Sequence, residues 1–352
     1  TRAIEASTAG LKIDPKIAEL YNIRGNNYMA QGNYQKAVAD YVAAGKLDPG
    51  YSAGLYGRSF FGRTEEWNKA IASFSAAVAR SPRSAAAYFN RAVIYADMSV
   101  WDKAIADYSQ AIRLDPKLAN AYYLRGVAQF QMATDFDVRS YKNKMTDAKR
   151  RSVFYRATAD YGTAIRLDPK FASAYYQRAV ALEELTKDAA VRDYSTFIQL
   201  NPAYSGHAHY KRGEIYQGRK EWDKVIADFK AYRQLPRPIS TKSMVYYMDS
   251  SAPHRIADAY MEKGDISRGI AMYDEAMNVP GEGRYSNLRD RGLAYVLKGD
   301  IPKAMADLNA AVLLRPNYAD AYTSRAKAYR KLGQVERAGL DEQMAAVLSP
   351  KK

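Results

Sequence analysis

Small and large apolar residues recur along this chain at the spacing of an amphipathic helix, and the pattern returns every 33 to 35 residues. In residues 21–41, large side chains occupy one helical face, Gly25 stands among them, and Ala37 precedes Tyr41 by one helical turn. Residues 88–108 and 288–308 repeat this order. Each period therefore predicts two short helices joined by a polar turn. Such a hairpin buries its apolar face only when it stacks on its neighbours.

Proline marks the end of each predicted hairpin. A proline cannot donate the helical hydrogen bond and disfavours the α conformation of the residue before it, so it stops a helix. The matching segments YVAAGKLDP (41–49), YSQAIRLDP (108–116) and YGTAIRLDP (161–169) all end in this way. The prolines at these periodic positions are residues 15, 49, 82, 116, 169, 202, 236, 316 and 350.

These features together resemble the tetratricopeptide repeat family over nearly the whole chain. The resemblance implies an all-α fold, a right-handed superhelical solenoid of helix-turn-helix units. We expect one solenoid over residues 1–352, in which residues 1–17 match the second half of a repeat and point to a further helix upstream. The nine predicted repeats are 18–50, 51–84, 85–118, 119–171, 172–204, 205–237, about 250–284, 285–318 and 319–350. The Leu-Asp-Pro style of the repeats is typical of bacterial proteins.

Two insertions interrupt the period. The first, near 133–152, is rich in Lys and Arg, which fits either an anion-binding protrusion or two helices lengthened by solvated turns. The second, 236–250, contains Met244, Tyr246, Tyr247 and Met248 and is too apolar for a simple linker. It could cover the groove of the solenoid or contact a partner.

The amino-acid composition excludes several classes of functional site. The chain has no cysteine, which excludes disulfides, thiol nucleophiles and Cys-based metal sites. No apolar run reaches the roughly 20 residues of a membrane span. The formal net charge of +15 would attract an acidic partner. The same charge is also compatible with a basic protein that has no acidic partner.

Arginine and aspartate recur together, one on each predicted helix of a repeat. Repeat seven lacks both and has Ile256 and Met272 in their places. Because a buried charge is tolerated when it is paired, this coupling predicts seven internal ion pairs and argues against a ladder for phosphates. The arginines are 24, 58, 91, 125, 178, 212, 291 and 325, and the aspartates are 40, 107, 160, 193, 228, 307 and 341.

The family resemblance also implies a binding surface. In such proteins the first helices line a concave groove that holds peptides, and the residue two before each arginine should face it. Five consecutive aromatic residues at this position make a stripe, or else pack on each other between helices. The predicted groove residues at this position are Asn22, Tyr56, Phe89, Tyr123, Tyr176 and Tyr210, followed by His254, Arg289 and Thr323 in the last three repeats. Asn26 and Phe60 lie one helical turn further on, and Asn90 is also predicted to belong to the groove.

The sequence gives little support for a catalytic site or a cofactor site. The three histidines include His207 and His209, whose rings point apart on a helix and make a poor metal site. Gly281 and Gly283 are too few for a phosphate-binding loop. Asn22, Asn26 and Asn90 resemble part of a carboxylate clamp, but the matching Lys and Arg are missing. We therefore expect no enzyme, no cofactor, no metal and no small-molecule substrate.

The sequence favours a protein-interaction scaffold that binds a protein or peptide segment, preferably acidic, in its concave groove. The alternatives are a structural subunit of a bacterial envelope or secretion assembly and, less favoured, a nucleic-acid-binding solenoid, since the groove positions are mostly neutral. The absence of cysteine and the basic charge favour the bacterial periplasm or envelope slightly over the cytoplasm.

Overall fold

The computed structural model describes residues 2–49, 64–139, 146–183, 185–235, 242–278 and 283–349. Over these residues the chain is helical and contains no strand, as the sequence predicts. The α-helices are α1 (Arg2–Ile13), α2 (Ala18–Ala30), α3 (Tyr34–Leu47), α4 (Thr64–Arg80), α5 (Ala85–Asp97), α6 (Trp101–Leu114), α7 (Ala119–Arg139), α8 (Asp147–Leu167), α9 (Ala172–Glu183), α10 (Lys187–Leu200), α11 (Gly206–Gly218), α12 (Trp222–Gln234), α13 (Lys242–Glu262), α14 (Ile266–Met277), α15 (Arg284–Lys298), α16 (Ile301–Leu314), α17 (Ala319–Lys331) and α18 (Val335–Leu348).

Consecutive helices pack as hairpins, α2 with α3, α5 with α6 and so on to α17 with α18. Within the first unit α6 also packs on α7 and α8 on α9, and within the second unit α12 packs on α13, α14 on α15 and α16 on α17. This is the serial stacking of a helical solenoid. The chain forms two compact units, Thr1–Tyr204 with α1 to α10 and Ser205–Lys352 with α11 to α18. A 3-10 turn, Pro202–Tyr204, ends the first unit.

The turns inside the hairpins follow from their residues. Gly299 ends α15 with φ +84° and its N–H bonds the last turn of that helix. A left-handed residue at this point suits glycine, which has no Cβ to clash. Asp300 then caps α16, because its side chain accepts a hydrogen bond from the N–H of Lys303 at 3.3 Å.

Each hairpin closes around a small residue that faces a large one. A Cβ on Gly126 would lie 2.7 Å from the ring of Tyr161, and one on Gly292 would lie 2.7 Å from Leu308. Tyr161 and Leu308 are completely buried. The small residues that the sequence places on the first helix therefore let the second helix approach closely.

The two insertions lengthen helices where the structure describes them. Helices α7 and α8 have 21 residues each, whereas most of the others have 12 to 14. Residues 140–145, with Lys142 and Lys144, lie outside the described residues. Of the second insertion, 242–250 belong to α13, which continues through Pro253, and 236–241 lie outside the described residues.

Candidate protein-binding surfaces

The predicted groove residues fall into three groups. Asn22, Asn26, Phe89 and Asn90 are partly exposed, and Asn26 accepts a hydrogen bond from the hydroxyl of Tyr41 at 2.9 Å. Tyr56 and Phe60 lie outside the described residues. The third group, Tyr123, Tyr176 and Tyr210, is buried, with 2%, 8% and 3% of each residue exposed.

The expectation that the tyrosine stripe lies open is therefore wrong for these three residues. The ring of Tyr123 packs against Tyr161 and Phe171, with ring centroids 6.0 and 4.7 Å away. Tyr176 packs in the same way on Tyr194 and Phe197 of α10. The rings fill the space between helices, which is the alternative that the sequence left open.

Part of this face in the first unit is covered by the chain itself. We call the surface that α5, α7 and α9 form with Phe171 and Asn201 the inner wall, and residues 42–49 the α3 end. Ser173 Oγ donates to the carbonyl of Lys46 at 2.7 Å, and Gln177 Nε2 donates to the carbonyl of Pro49 at 3.4 Å. Asn201 Nδ2 donates to the carbonyl of Leu47. Side chains of the inner wall thus bind main-chain oxygens at a helix C-terminus, which a helix leaves unsatisfied.

Two further side chains, those of Lys46 and Tyr204, hold the first hairpin in place by two contacts each. The ammonium of Lys46 lies 4.9 Å above the ring of Phe171 and 3.9 Å from the carboxylate of Asp168. The hydroxyl of Tyr204 donates to the carbonyl of Lys16 at 2.7 Å and accepts from the N–H of Ala18 at 3.3 Å.

All seven predicted Arg–Asp pairs are present. In each pair, Nε and Nη2 of the arginine donate to the two carboxylate oxygens at 2.6–2.8 Å, which is the bidentate geometry. The pairs are 24–40, 91–107, 125–160, 178–193, 212–228, 291–307 and 325–341. The hydrogen bond that Arg125 donates to Asp160 raises the pKa of Arg125, and the burial of the guanidinium opposes this shift. These arginines form ion pairs between the two helices of a repeat, as the sequence predicts.

A third donor of many of these arginines reaches the preceding hairpin. Nη1 of Arg91 donates to Ser75 Oγ of α4 at 3.2 Å, and Nη1 of Arg125 donates to Ser109 Oγ of α6 at 3.1 Å. Each such arginine therefore joins three helices. In repeat seven, Ile256 is completely buried and Met272 packs on the same cluster, so an apolar contact replaces the ion pair.

The outer face of α8 is positively charged. Arg151, Tyr155 and Arg156 line a shallow depression with Ala148, Ser152 and Ala159. Arg151 and Arg156 are exposed, as is Lys149, and Tyr155 is 61% exposed. Among the described residues, no ion pair neutralises Lys149, Arg151 or Arg156, whereas Arg150 lies 3.2 Å from Asp147. We call this surface, residues 148–159, the α8 basic face.

In repeats seven and eight of the second unit, a charged cluster occupies the position that holds aromatic residues in the earlier repeats. His254 Nε2 lies 3.5 Å from a carboxylate oxygen of Asp258 and 3.3 Å from one of Asp290. Arg289 Nη1 lies 2.9 Å from the other oxygen of Asp290, and Tyr273 donates to Asp258 at 2.6 Å. Burial raises the pKa of Asp290 to about 6, and the charges of Arg289 and His254 oppose the shift. The sequence placed His254 and Arg289 on this face but did not indicate their carboxylate partners.

His207 gives the second unit a pH dependence. Burial, with a smaller contribution from Lys211, lowers its pKa from 6.5 to about 4. The unfolded chain therefore binds a proton in the pH range where the folded chain does not, and stability falls as pH falls from about 6.5 to 4. At pH 5 this loss is about 2 kcal/mol.

We expect the variant His207→Asn to show a flatter pH dependence of the free energy of unfolding than the parent between pH 7 and pH 5. Urea unfolding followed by circular dichroism measures both chains. Parallel profiles for the two chains would contradict the assignment of this pH dependence to His207.

Within the described residues, no group of three or more His, Cys, Asp or Glu side chains is placed to hold a metal ion. A search of the same residues for a helix with the length and hydropathy of a membrane span finds none.

Comparisons with known proteins agree with this fold. A sequence profile described as "TPR repeat" matches residues 100–132 and 292–333, and one described as "Tetratricopeptide repeat" matches residues 18–51. The C-terminal part of a TPR repeat-containing protein from Cytophaga hutchinsonii is similar in structure, with a TM-score of 0.54, 18% sequence identity, and coverage of 76% of this chain and 98% of that one.

Two curated proteins are similar in sequence. The tetratricopeptide repeat and J domain-containing co-chaperone DNJ1 of Cryptococcus neoformans is 27% identical over 164 residues, which are 46% of this chain and 31% of that protein. The DnaJ homolog subfamily C member 3 of Gallus gallus is 26% identical over 188 residues, 51% of this chain and 36% of that protein. The similarity thus spans about a third of the length of these relatives.

Proposed function

Because this chain carries tetratricopeptide repeats in a helical solenoid, we propose that it is a non-enzymatic scaffold that binds an acidic segment of another protein. The observation that supports the proposal is the α8 basic face. Three exposed cations stand there around Tyr155, without a neutralising partner among the described residues. An aromatic ring among cations offers contact area together with charge, which suits a docking site.

The position of the α8 basic face explains why it is available. Buried residues of α8, among them Phe154 and Tyr161, face α7 and fill the hairpin interior. The opposite side of the helix carries Lys149, Arg151 and Arg156, where water reaches them. An acidic segment would lie along this side and displace counterions, so its binding should weaken with salt.

The predicted groove remains a second part of the proposal. Asn22, Phe89 and Asn90 are partly exposed and offer polar and aromatic contacts to a protein segment. Tyr123, Tyr176 and Tyr210 are buried, so they are not part of the proposed binding surface.

A labelled peptide tests the acidic preference. Fluorescence anisotropy measures the affinity of a fluorescein-labelled peptide of repeating Glu-Ala-Glu-Leu for the full chain and for the variant Arg151→Glu/Arg156→Glu. We expect the variant to bind at least tenfold more weakly. The control Arg113→Glu/Lys117→Glu changes the net charge equally at exposed residues elsewhere and should lose less than threefold.

Two outcomes would overturn the proposal. Equal losses in both variants would mean that only the net charge attracts the peptide. Tighter binding of a single-stranded oligonucleotide than of the peptide, lost in the Arg151→Glu/Arg156→Glu variant, would make the α8 basic face a nucleic-acid site.

A further inference from the structure

The imidazole ring of His254, on α13, has a fixed orientation. Its Nδ1 atom lies 2.5 Å from Oδ1 of Asn287 on α15. An amide oxygen only accepts hydrogen bonds, so Nδ1 carries the proton of the neutral ring. Asn287 is 8% exposed, which shields this hydrogen bond from water. Nε2 is therefore the nitrogen at which the ring gains or loses a proton.

Two carboxylates face this Nε2 atom. That of Asp258, on the same helix, lies 3.5 Å away, and that of Asp290, on α15, lies 3.3 Å away. A protonated Nε2 attracts both carboxylates and so joins α13 to α15, the first helices of repeats seven and eight. An unprotonated Nε2 turns its lone pair toward two negative charges, and the same geometry becomes unfavourable. This contact between two repeats therefore depends on one proton.

Packing alone does not require a titratable ring at this position. The equivalent residue of repeat five, Tyr176, packs on Tyr194 of its second helix, with ring centroids 5.8 Å apart. His254 packs in the same way on Tyr273, at 5.3 Å. Since a tyrosine ring fills this space in repeat five, the imidazole and its two carboxylates add a dependence on charge to a packing contact.

The surrounding charges favour uptake of a proton. Burial raises the pKa of Asp290 to about 6, and the negative charges of Asp258 and Asp320 add to this shift, whereas Arg289 and His254 oppose it. A carboxyl group whose pKa rises on folding stabilises the folded chain at low pH, and this contribution is lost as pH rises through about 6. The direction is the same as that expected for the contact of His254.

The neighbouring charged side chains on the other helices packed against α13 and α15 have partners of their own. The hydroxyl of Tyr273 on α14 donates to Asp258 at 2.6 Å and belongs to the same cluster. The other contacts are Arg255–Glu214 toward α11, Asp228–Arg212 and Lys230–Tyr260 on α12, Arg291–Asp274 toward α14 and Arg291–Asp307 toward α16.

We propose that His254 is a proton-dependent contact between repeats seven and eight. The protonated ring bridges Asp258 and Asp290 and holds α13 on α15, and loss of that proton at alkaline pH weakens the contact. The contact lies in the second unit and does not involve the α8 basic face, so it stands apart from the proposed acidic partner.

A double-mutant cycle tests the contact in the full chain. Urea unfolding of the parent, His254→Gln, Asp290→Asn and the double variant gives the coupling of the two side chains as a factor in the unfolding equilibrium constant. We expect a favourable coupling of at least fivefold at pH 6.5 and of less than twofold at pH 8.5. The contribution of His207 is present in all four chains and cancels.

The matched control is the pair of Arg233 and Glu275, which joins repeats six and seven without a histidine. The cycle of Arg233→Gln and Glu275→Gln should give the same coupling at both pH values. A coupling of His254 with Asp290 that is absent at pH 6.5, or that is equal at the two pH values, would overturn the proposal.

Hydrogen exchange gives a local measurement that does not depend on the stability of the variants. After correction for the intrinsic exchange rate, we expect the amides of α13 and α15 in the parent chain to open at least fivefold more often at pH 8.5 than at pH 6.5. In His254→Gln the two values should agree within twofold, and the amides of α5 and α6 serve as the reference. An equal change in parent and variant would mean that His254 does not control the contact.

Discussion

Replacing Arg91 with isoleucine is expected to lower the free energy of unfolding of the first unit by about 3–5 kcal/mol. The substitution leaves the carboxylate of Asp107 without its bidentate partner, and only 10% of that side chain is exposed. A buried charge that has lost its partner retains the cost of leaving water without the compensating attraction.

The double variant Arg91→Ile/Asp107→Met should lose less than half as much stability as Arg91→Ile. It reproduces the residues of repeat seven, where the buried Ile256 and Met272 belong to one apolar cluster. Urea unfolding followed by circular dichroism measures both variants, and Arg113→Ile, at an exposed position, should change stability by less than about 0.5 kcal/mol. A double variant as unstable as the single one would show that the ion pair stabilises the fold by itself.

The Arg–Asp pairs were predictable because the repeat supplies an internal comparison. Where repeat seven loses the arginine it also loses the aspartate, and that joint change indicates contact. The third contact that many of these arginines make carried a signal too. The polar residues Ser75 and Ser109 stand 16 residues before Arg91 and Arg125. Because this spacing crosses from one repeat to the next, the contact is not visible in the sequence of a single repeat.

The fold class was also predictable, since helix period, small residues and terminal prolines all indicate the same hairpin. The sequence did not predict that the α3 end covers the inner wall. A repeat period tells which face of a helix a residue occupies, but it does not tell what packs on that face. The hydrogen bond from Ser173 to Lys46 joins residues 127 positions apart, and no local pattern encodes it.

The arrangement of the basic insertion was predictable only in part. The sequence indicated a cluster of cations near 133–152, and in the structure Lys149 and Arg151 of this cluster are exposed, whereas Arg150 is partly buried. Phe154 and Arg151 are three positions apart, yet one is buried and the other exposed. Without the register of α8 against α7, the sequence could not tell which cations face solvent.

Replacing Tyr123 with alanine is expected to lower the free energy of unfolding by about 3–5 kcal/mol. The ring is 2% exposed and fills the space between Tyr161 and Phe171, so its removal leaves a cavity that the neighbouring helices cannot close fully. Tyr123→Phe keeps the ring and should retain most of the stability. The matched control is Tyr155→Ala, a 61% exposed tyrosine, which should change stability by less than about 0.5 kcal/mol.

The comparison of these two tyrosines separates a core residue from a binding residue. If Tyr123 lay open in a groove, Tyr123→Ala would keep its urea midpoint and would lose only affinity for a partner. If Tyr155 belongs to a docking surface, Tyr155→Ala should keep its midpoint and bind the acidic peptide more weakly. Because overall charge is the same in both variants, any difference in peptide affinity between them comes from the position of the ring and not from net charge.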